Sequence, residues 1–530
     1  MRAVCTSRSS DQSVIGRIRT TRFPRFPRFP RLDALAAFAL FACSSAAALA
    51  APPVHVGTLA PAQPNQEERF GFAVDVRGDL AVVGAYGDSL EGQLFRGSAS
   101  VYRLGNDGVW GFEQRLVAGD GAAFDQFGFA VAIVGEGAAR GIVVTAPKGA
   151  GAQHPDQGCA YAYELVGGVW TLSSRLTLAV GANNDAFGYS ADGSADAVAI
   201  GAVFDDATAT NQGSASVFRR TGSGAQASWA LEATLVAPDA ALNDQFGFDV
   251  ALDGRTLLVG ANSDDIAGVV DGGSAWVFRR DAGAWTAEAQ LRAANGTAGD
   301  FFGTSVALAE PVDAAGAIGP EGGLALCGSI FDAPEGLVKR GSATLFRRTK
   351  GAWTERDTLV AADSAAGDEC GVSVALGSGG ALGVSLALVG GFKHDTAGAA
   401  DAGRVWAWSI DATGTALPAW SLTAPTAGTG DAFGHAIALD SATLAVGAYA
   451  TDGAAPNQGA LHLYAIAPAP CTGDLDGNGV VDSADLGALL SAWGTPAADL
   501  DGNGIVDSAD LGALLSAWGM CGEGGERYKR

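Results

Sequence analysis

A Phe-Gly pair, or its counterpart, recurs seven times through the middle of this chain. It falls at Phe70, Phe127, Phe187, Phe246, Phe302, Cys370 and Phe433, spaced 57, 60, 59, 56, 68 and 63 residues apart. A period of that length points to a stacked or radial repeat, because one such unit cannot bury both its faces alone. Each unit holds four apolar runs of strand length. The first follows Phe-Gly, as in FAVDV and FDVAL. The second ends in Gly-Ala or close to it, and the third starts at Gly, as in GSASVYR and GSAWVFR. The fourth runs from a Trp to a Leu six residues on, at 110–116, 170–176, 229–235, 285–291 and 353–359. Small and β-branched residues alternate in these runs, as packed strands require. The 76 glycines fall between the runs and read as tight turns rather than low complexity.

Four antiparallel strands per unit describe a propeller blade. The count contains a test. Fourth-type strands follow repeats one to six, the last at 420–424, whereas the seventh repeat stops at its third strand, 459–466, and enters Pro468-Ala469-Pro470. An orphan strand of the missing type stands at 54–60, ahead of the first Phe-Gly. It is expected to complete the seventh blade, and closing the ring removes exposed sheet edges. The fold class expected is mainly β, a seven-bladed propeller over 51–467, with a small α-helical module after it. Phe-Gly followed about a dozen residues later by Gly-Ala resembles the FG-GAP repeat of integrin α-subunit heads and of many exported bacterial proteins. That resemblance covers 54–466 and implies the same seven-bladed ring. Many such repeats carry a DxDxDG calcium loop between blade strands, and no blade here contains one.

After the Pro linker at 468–470 the chain reads DLDGNGVVDSADLGALLSAWG from Asp474 and repeats it from Asp499, with Ile505 in place of Val480. Oxygen-bearing residues at alternate positions, a Gly at the turn and a helix behind them suit Ca²⁺. The expected ligands of the first loop are Asp474, Asp476, Asn478, the carbonyl of Val480, Asp482 and Asp485. Those of the second are Asp499, Asp501, Asn503, the carbonyl of Ile505, Asp507 and Asp510. Asp replaces the usual Glu at position 12. Leu486, Leu489, Leu490 and Trp493 form one helical stripe, Leu511, Leu514, Leu515 and Trp518 another, and Gly494 and Gly519 are read as the helix ends. Two such loop–helix units resemble an EF-hand-like dockerin domain over 471–521. The resemblance implies two Ca²⁺ ions and a cohesin-like partner, with Ser483-Ala484 and Ser508-Ala509 at the partner-selecting positions, in either of two equivalent orientations. Cys471 and Cys521 bracket the module, and a disulfide between them is expected in an exported protein. A polar tail, 522–530, follows.

Export is expected from the other end. A basic stretch, Arg17 to Arg31, precedes an apolar run, Leu35 to Leu49, and small residues at Ala48 and Ala50 fit cleavage after Ala50. The rival is a lipoprotein signal with Cys43 acylated. No other stretch is long enough for a membrane helix. The formal net charge is −24. Residues 1–50 hold eight of the 33 basic residues and two of the 57 acidic ones, so the remainder carries −30. Such a surface repels nucleic acid. Cys159, Cys327 and Cys370 match no zinc spacing and are read as isolated, partly buried thiols, with a Cys327–Cys370 pair as the alternative.

Two acidic positions recur in the blades. Asp125, Asp185, Asp244, Asp300, Asp368 and Asp431, with Glu68 in the first repeat, stand two residues before Phe or its counterpart. Asp88, Asp205, Asp264, Asp332, Asp395 and Asp452 follow the second-strand Gly. Both are expected to start turns, with an acidic, cation- or partner-binding rim as the other reading of the second set. The five histidines, His55, His154, His394, His435 and His462, share no motif, although ring closure brings His55 near the seventh repeat. No nucleophile elbow, P-loop or zincin pattern occurs. The reading is a binding or adhesion protein presenting a glycan or cell-surface ligand site. Its rivals are a polysaccharide-degrading enzyme or accessory subunit and a structural envelope component. Departures from the repeat, such as Lys148, Lys393-His394 and 310–323, are where a ligand would be read.

Overall fold

The computed structural model describes residues 52–151, 154–178, 180–266, 268–310, 322–377, 385–411, 413–466, 473–475, 480–500 and 504–520. The expected leader, linker and tail, along with Cys471, Cys521, Asp476, Asn478, Asp501 and Asn503, lie outside these residues. Among the described residues no helix is long and apolar enough to cross a membrane.

Seven four-stranded antiparallel sheets make the blades. Blade 1 comprises Ala73–Arg77, Leu80–Ala85, Ser98–Leu104 and Trp110–Leu116, from first strand to fourth. Blades 2 to 6 repeat that order. Blade 7 takes Phe433–Leu439, Thr443–Ala448 and Ala460–Ala465 from the end of the repeat region, and Val54–Leu59 from its start. Val54 pairs with Ala465 and Leu59 with Leu461. The orphan strand therefore closes the ring as expected.

The two halves of the repeat motif meet between blades. A Cβ on Gly84, in the second strand of blade 1, would lie 2.1 Å from the carbonyl oxygen of Gly128 in the Phe-Gly of blade 2. A Cβ on Gly447 of blade 7 would lie 2.0 Å from that of Gly71 in blade 1. Only glycine permits that approach of backbones. The adjoining Phe side chains are fully buried. Second strands are predominantly apolar, as strands covered on both faces should be; every residue of Leu80–Ala85, Ala197–Ala202 and Thr256–Ala261 is buried. The core clusters of the propeller accordingly lie between neighbouring blades. Leu80, Val82 and Leu116 of blade 1 pack on Phe127, Ile142 and Tyr163 of blade 2, and Val83 and Tyr102 pack on Ala445 and Leu463 across the closure.

One boundary differs from expectation. The fourth strand of blade 6 is Ala416–Leu422, not 420–424. Its register is anchored by Leu422, paired with Val405, as Leu116 is with Ala99 and Leu291 with Ala275. Trp420 pairs with Ala407 in mid-strand and is no counterpart of Trp110, which pairs with Leu104 at the strand's start. Ala416 holds that place.

A carboxylate joins blades further out. Glu232 of blade 3 accepts from Trp285 Nε1 (3.2 Å) and Arg280 of blade 4, and Glu288 accepts from Trp353 Nε1 (3.2 Å) and Arg348 of blade 5. Burial alone would raise the Glu232 pKa, but Arg280, Arg219 and the indole bring it to about 2. The three propeller thiols are free and fully buried, rather than partly so. Burial pushes Cys370 up to about 12.

Candidate functional site

The first strand of each blade borders the axis. The residue after each Phe-Gly is aromatic in five blades: Phe72, Phe129, Tyr189, Phe248 and His435. Their ring centroids form a chain, His435 to Phe72 at 4.7 Å, Phe72 to Phe129 at 5.1 Å, Phe129 to Tyr189 at 5.2 Å and Tyr189 to Phe248 at 5.0 Å. Rings from five successive blades can touch in sequence only close to the axis. Tyr86, Tyr449 and Phe392, at the ends of second strands, add to the arc. Thr304 and Val372 stand at the equivalent positions of blades 5 and 6, so the arc has a gap. All these rings are half-buried. Burial lowers the His435 pKa to about 4, which leaves it neutral at pH 7. The arc is readable in the sequence as the third letter of FGF, FGF, FGY, FGF and FGH, a signal the repeat pattern hides because only its first two letters are shared.

The opposite mouth, beside the hairpins that join first and second strands, is polar. A cavity of about 1040 Å³ there is lined by Asp75, Arg77, Asp192, Asp249, Asp253 and Asp440 among others. The carboxylates stitch the unpaired inner edges of neighbouring blades. Asp75 accepts from the Ile133 N–H, Asp192 from Leu252, Asp249 from Val306 and Asp253 from Glu310, at 2.6 to 2.8 Å. Burial raises Asp192 and Asp249 to about 7. Their oxygens hold backbone, so the cavity does not present them as a free acid/base pair.

The rim supports the turn reading. Asp125, Asp185, Asp244, Asp300, Asp368 and Asp431 each accept the backbone N–H three residues earlier, and Glu68 accepts from Asn65. The other recurring set is two sets. The carbonyls of Asp88, Asp205, Asp264 and Asp332 accept from the Gly that opens the third strand; the first three residues are buried and Asp332 is half-buried. In blades 6 and 7 His394 and Thr451 take that role. Asp395 and Asp452 lie one residue further on, exposed, and accept from Asp401 and Asn457. His394 lies 2.7 Å from Asp368. His55 and His462 share Thr58, at 3.1 and 3.0 Å, while His435 belongs to the aromatic arc, so ring closure does not gather the three into one site.

In the C-terminal module two helices follow the loops, α1 (Ser483–Ser491) and α2 (Ser508–Ser516). Asp482 and Asp507 cap them in capping boxes with Asp485 and Asp510. Asp485 accepts from the N–H of Leu475 and Asp482, and Asp510 from Leu500 and Asp507, all at 2.7 to 2.8 Å. Both carboxylates are fully buried. Residues 473–520 contain eight Asp and no Lys, Arg or His. That donor set fits a hard divalent ion. Among the described residues no three His, Cys, Asp or Glu side chains converge as a metal site. Asp474 and Asp499 are half-buried, Ile505 is exposed, and Ser483, Ala484, Ser508 and Ala509 are exposed at the helix starts. The expected apolar stripe splits. Leu489 and Leu514 are fully buried with Val481 and Val506, whereas Leu490, Trp493, Leu515 and Trp518 are exposed. Gly519 ends no helix; with Met520 it pairs with Val480–Val481.

Comparison with known proteins agrees with the ring. The profile of the FG-GAP repeat matches residues 54–102, 110–163, 170–218, 229–278, 285–343 and 420–464. The chain belongs to the FG-GAP repeat family. The FG-GAP segments start on one blade's fourth strand and end on the next blade's third, so the sequence unit is offset from the blade by one strand. That offset is why Val54–Leu59 is left over to close the ring. Blade 6, which carries Cys370 for Phe and Arg404 for the usual Ser, lies between the last two matched FG-GAP segments. No curated protein matches the chain.

Proposed function

We propose that this chain is an exported binding protein, with a glycan or other cell-surface ligand held at the aromatic mouth of the propeller. The C-terminal module attaches it to a cohesin-like partner in a calcium-dependent way. The aromatic arc is the observation that carries the ligand reading. Half-exposed rings in series offer stacking faces for sugar rings, and aromatic surfaces of this kind are enriched at binding sites. The module's reading rests on the twin acidic loops, with Asp474, Asp476, Asn478, Asp482 and Asp485 and their counterparts Asp499, Asp501, Asn503, Asp507 and Asp510 as side-chain ligands. Bound Ca²⁺ would supply the positive charge that fixes the loops.

A glycan array probed with the full chain, alongside an assay for released sugars, tests the propeller. The expected result is saturable binding without turnover, lost in Phe72→Ala/Phe129→Ala. Sugar release would move the function to polysaccharide breakdown, and binding untouched by the double substitution would place the ligand elsewhere.

A further inference from the structure

The third strand of every blade carries, three residues after its opening Gly, a side chain that pairs with the middle of the second strand. In blades 2, 4, 6 and 7 it is a ring: Tyr161, Trp276, Trp406 and His462, paired with Val144, Val259, Val389 and Val446 of the second strands. In blades 1, 3 and 5 the same place is small: Ser100, Ser216 and Thr344, paired with Val83, Ile200 and Cys327. In blade 3 Ser216 meets the Thr234 hydroxyl at 3.0 Å. At Ser100 of blade 1 lies a pocket of about 400 Å³, lined by Ala62, Gln63, Glu68, Ser100, Phe112 and Arg115, with Gln114 beside them.

The walls of the pocket are not generic. The chain's own rings show what the space accepts. Tyr161 donates its hydroxyl to Asp120 at 2.8 Å, and Trp406 donates Nε1 to Asp363 at 2.7 Å. Asp120 and Asp363 both stand seven residues before the Phe-Gly position, at Phe127 and Cys370. Seven residues before Phe70 is Gln63, which lines the pocket and is exposed as those two aspartates are. In blade 4 Asp239 has that place, but Gln290 donates to it instead of Trp276. The floor of the blade 1 pocket is held by buried polar groups. Asp88 accepts from Ser98 and Asn65 and is ion-paired with Arg115. Glu68, 2 % exposed, is one methylene longer than the aspartate of the other six repeats. Phe112, 48 % exposed, leaves a ring edge at the entrance, T-shaped against Tyr102 at 5.7 Å.

We infer that the blade 1 pocket binds a planar aromatic ring carrying a hydrogen-bond donor, an indole or a phenol, in the place that Tyr161 and Trp406 occupy in their own blades. The ring lies over Ser100 beside Phe112, and its N–H or O–H meets the Gln63 carbonyl or the Glu68 carboxylate. The site is separate from the axial mouth and does not depend on the reading proposed for it. Ring and donor can come from a free small molecule or from a Trp or Tyr side chain of a partner.

The test uses the full chain with indole, 4-methylphenol and toluene as probes, followed by chemical-shift or calorimetric titration. Indole and 4-methylphenol should saturate in the millimolar range or tighter, as ligands of that size do, and toluene should bind about tenfold more weakly for want of a donor. Ser100→Trp fills the pocket and should abolish indole binding. Gln63→Leu, on an exposed loop, guards against misfolding of that variant and should erase the preference for indole over toluene. Acetyl-tryptophan amide binding as well as indole shows that a partner's side chain has room to enter; binding by indole alone assigns the pocket to a small molecule. No saturable binding by either donor probe, or binding indifferent to both substitutions, overturns the inference.

Discussion

The propeller and the C-terminal module hold themselves together by opposite means. In the propeller, carboxylates are matched. Glu232 and Glu288 meet arginines and indoles of the next blade, Asp75 and Asp192 meet backbone N–H groups, and apolar side chains pack between neighbouring blades. Residues 473–520 have eight aspartates and no basic side chain, and among the described residues the core there has four fully buried apolar side chains, Val481, Leu489, Val506 and Leu514. A core that small does not outweigh the entropy of ordering its chain. The contrast teaches where each part can get its stability: the propeller from seven repeated interfaces, the module, on the reading proposed above, from a cation bound to its loops.

The largest expected effect breaks the two apart. A calcium chelator added to the full chain should abolish the helical circular dichroism of α1 and α2 and expose the region after 467 to protease, leaving the propeller's thermal transition in place. Asp474→Ala with Asp499→Ala should do the same without chelator. A module that keeps its helices through a chelator titration would mean that its small core suffices. The next effect falls on the ring. Gly447→Val puts a side chain against the Gly71 carbonyl at the closure and should cost about 3 kcal/mol or more in urea unfolding. Gly119→Ala, with open space around it, should cost roughly 0.5 kcal/mol or less. Equal costs would mean that the ring relaxes around its seam.

The two parts also differ in the sign of their pH dependence. Asp192 and Asp249 have folded pKa values raised to about 7 by burial. Their contribution to propeller stability is full below the ordinary carboxylate range near 4 and is lost as pH rises through about 7. The propeller's melting temperature should therefore fall over that window, and Asp192→Asn with Asp249→Asn, which keep an acceptor for Leu252 and Val306, should flatten the fall. On the reading proposed above, the module holds its cation through ionised carboxylates, so its melting temperature in calcium should rise over the same window. Two parallel profiles would remove the distinction.

Much of this was legible in the sequence because repetition averages out accidents. Seven Phe-Gly positions and five Trp-to-Leu runs fixed blade number, strand order and the orphan strand. Blade 6 misled because its fourth strand keeps the Leu register but moves the Trp. The rim aspartates misled because a spacing of four or five residues merges two structural positions. The aromatic arc is a property of departures from the repeat, and the Ser100 pocket is one of register. A residue such as Ser100 is unremarkable until the register places it where Tyr161 and Trp406 stand. The exposed Trp493 and Trp518 went unforeseen because helical spacing groups residues by face but does not say how wide a face the module can cover.

The smallest effect probes the matched side of the contrast at a place where the matching lapses. Ser173 stands in blade 2 where Glu113, Glu232 and Glu288 stand in blades 1, 3 and 4, three residues after the fourth-strand Trp. The indole of Trp229 in blade 3 should find a carboxylate there, and its buried Nε1 has no partner. Trp285 and Trp353 have theirs. Trp285→Phe discards a hydrogen bond to an ionised Glu232 and should cost about 1–2 kcal/mol beyond the lost ring area. Trp229→Phe discards only an unmet donor, and its cost should be about 1 kcal/mol lower, with Trp353→Phe following Trp285. Urea denaturation of the three variants under one buffer reads the difference. If Trp229→Phe costs as much as the other two, the indoles contribute by packing alone, and the carboxylates between blades serve the arginines rather than the tryptophans.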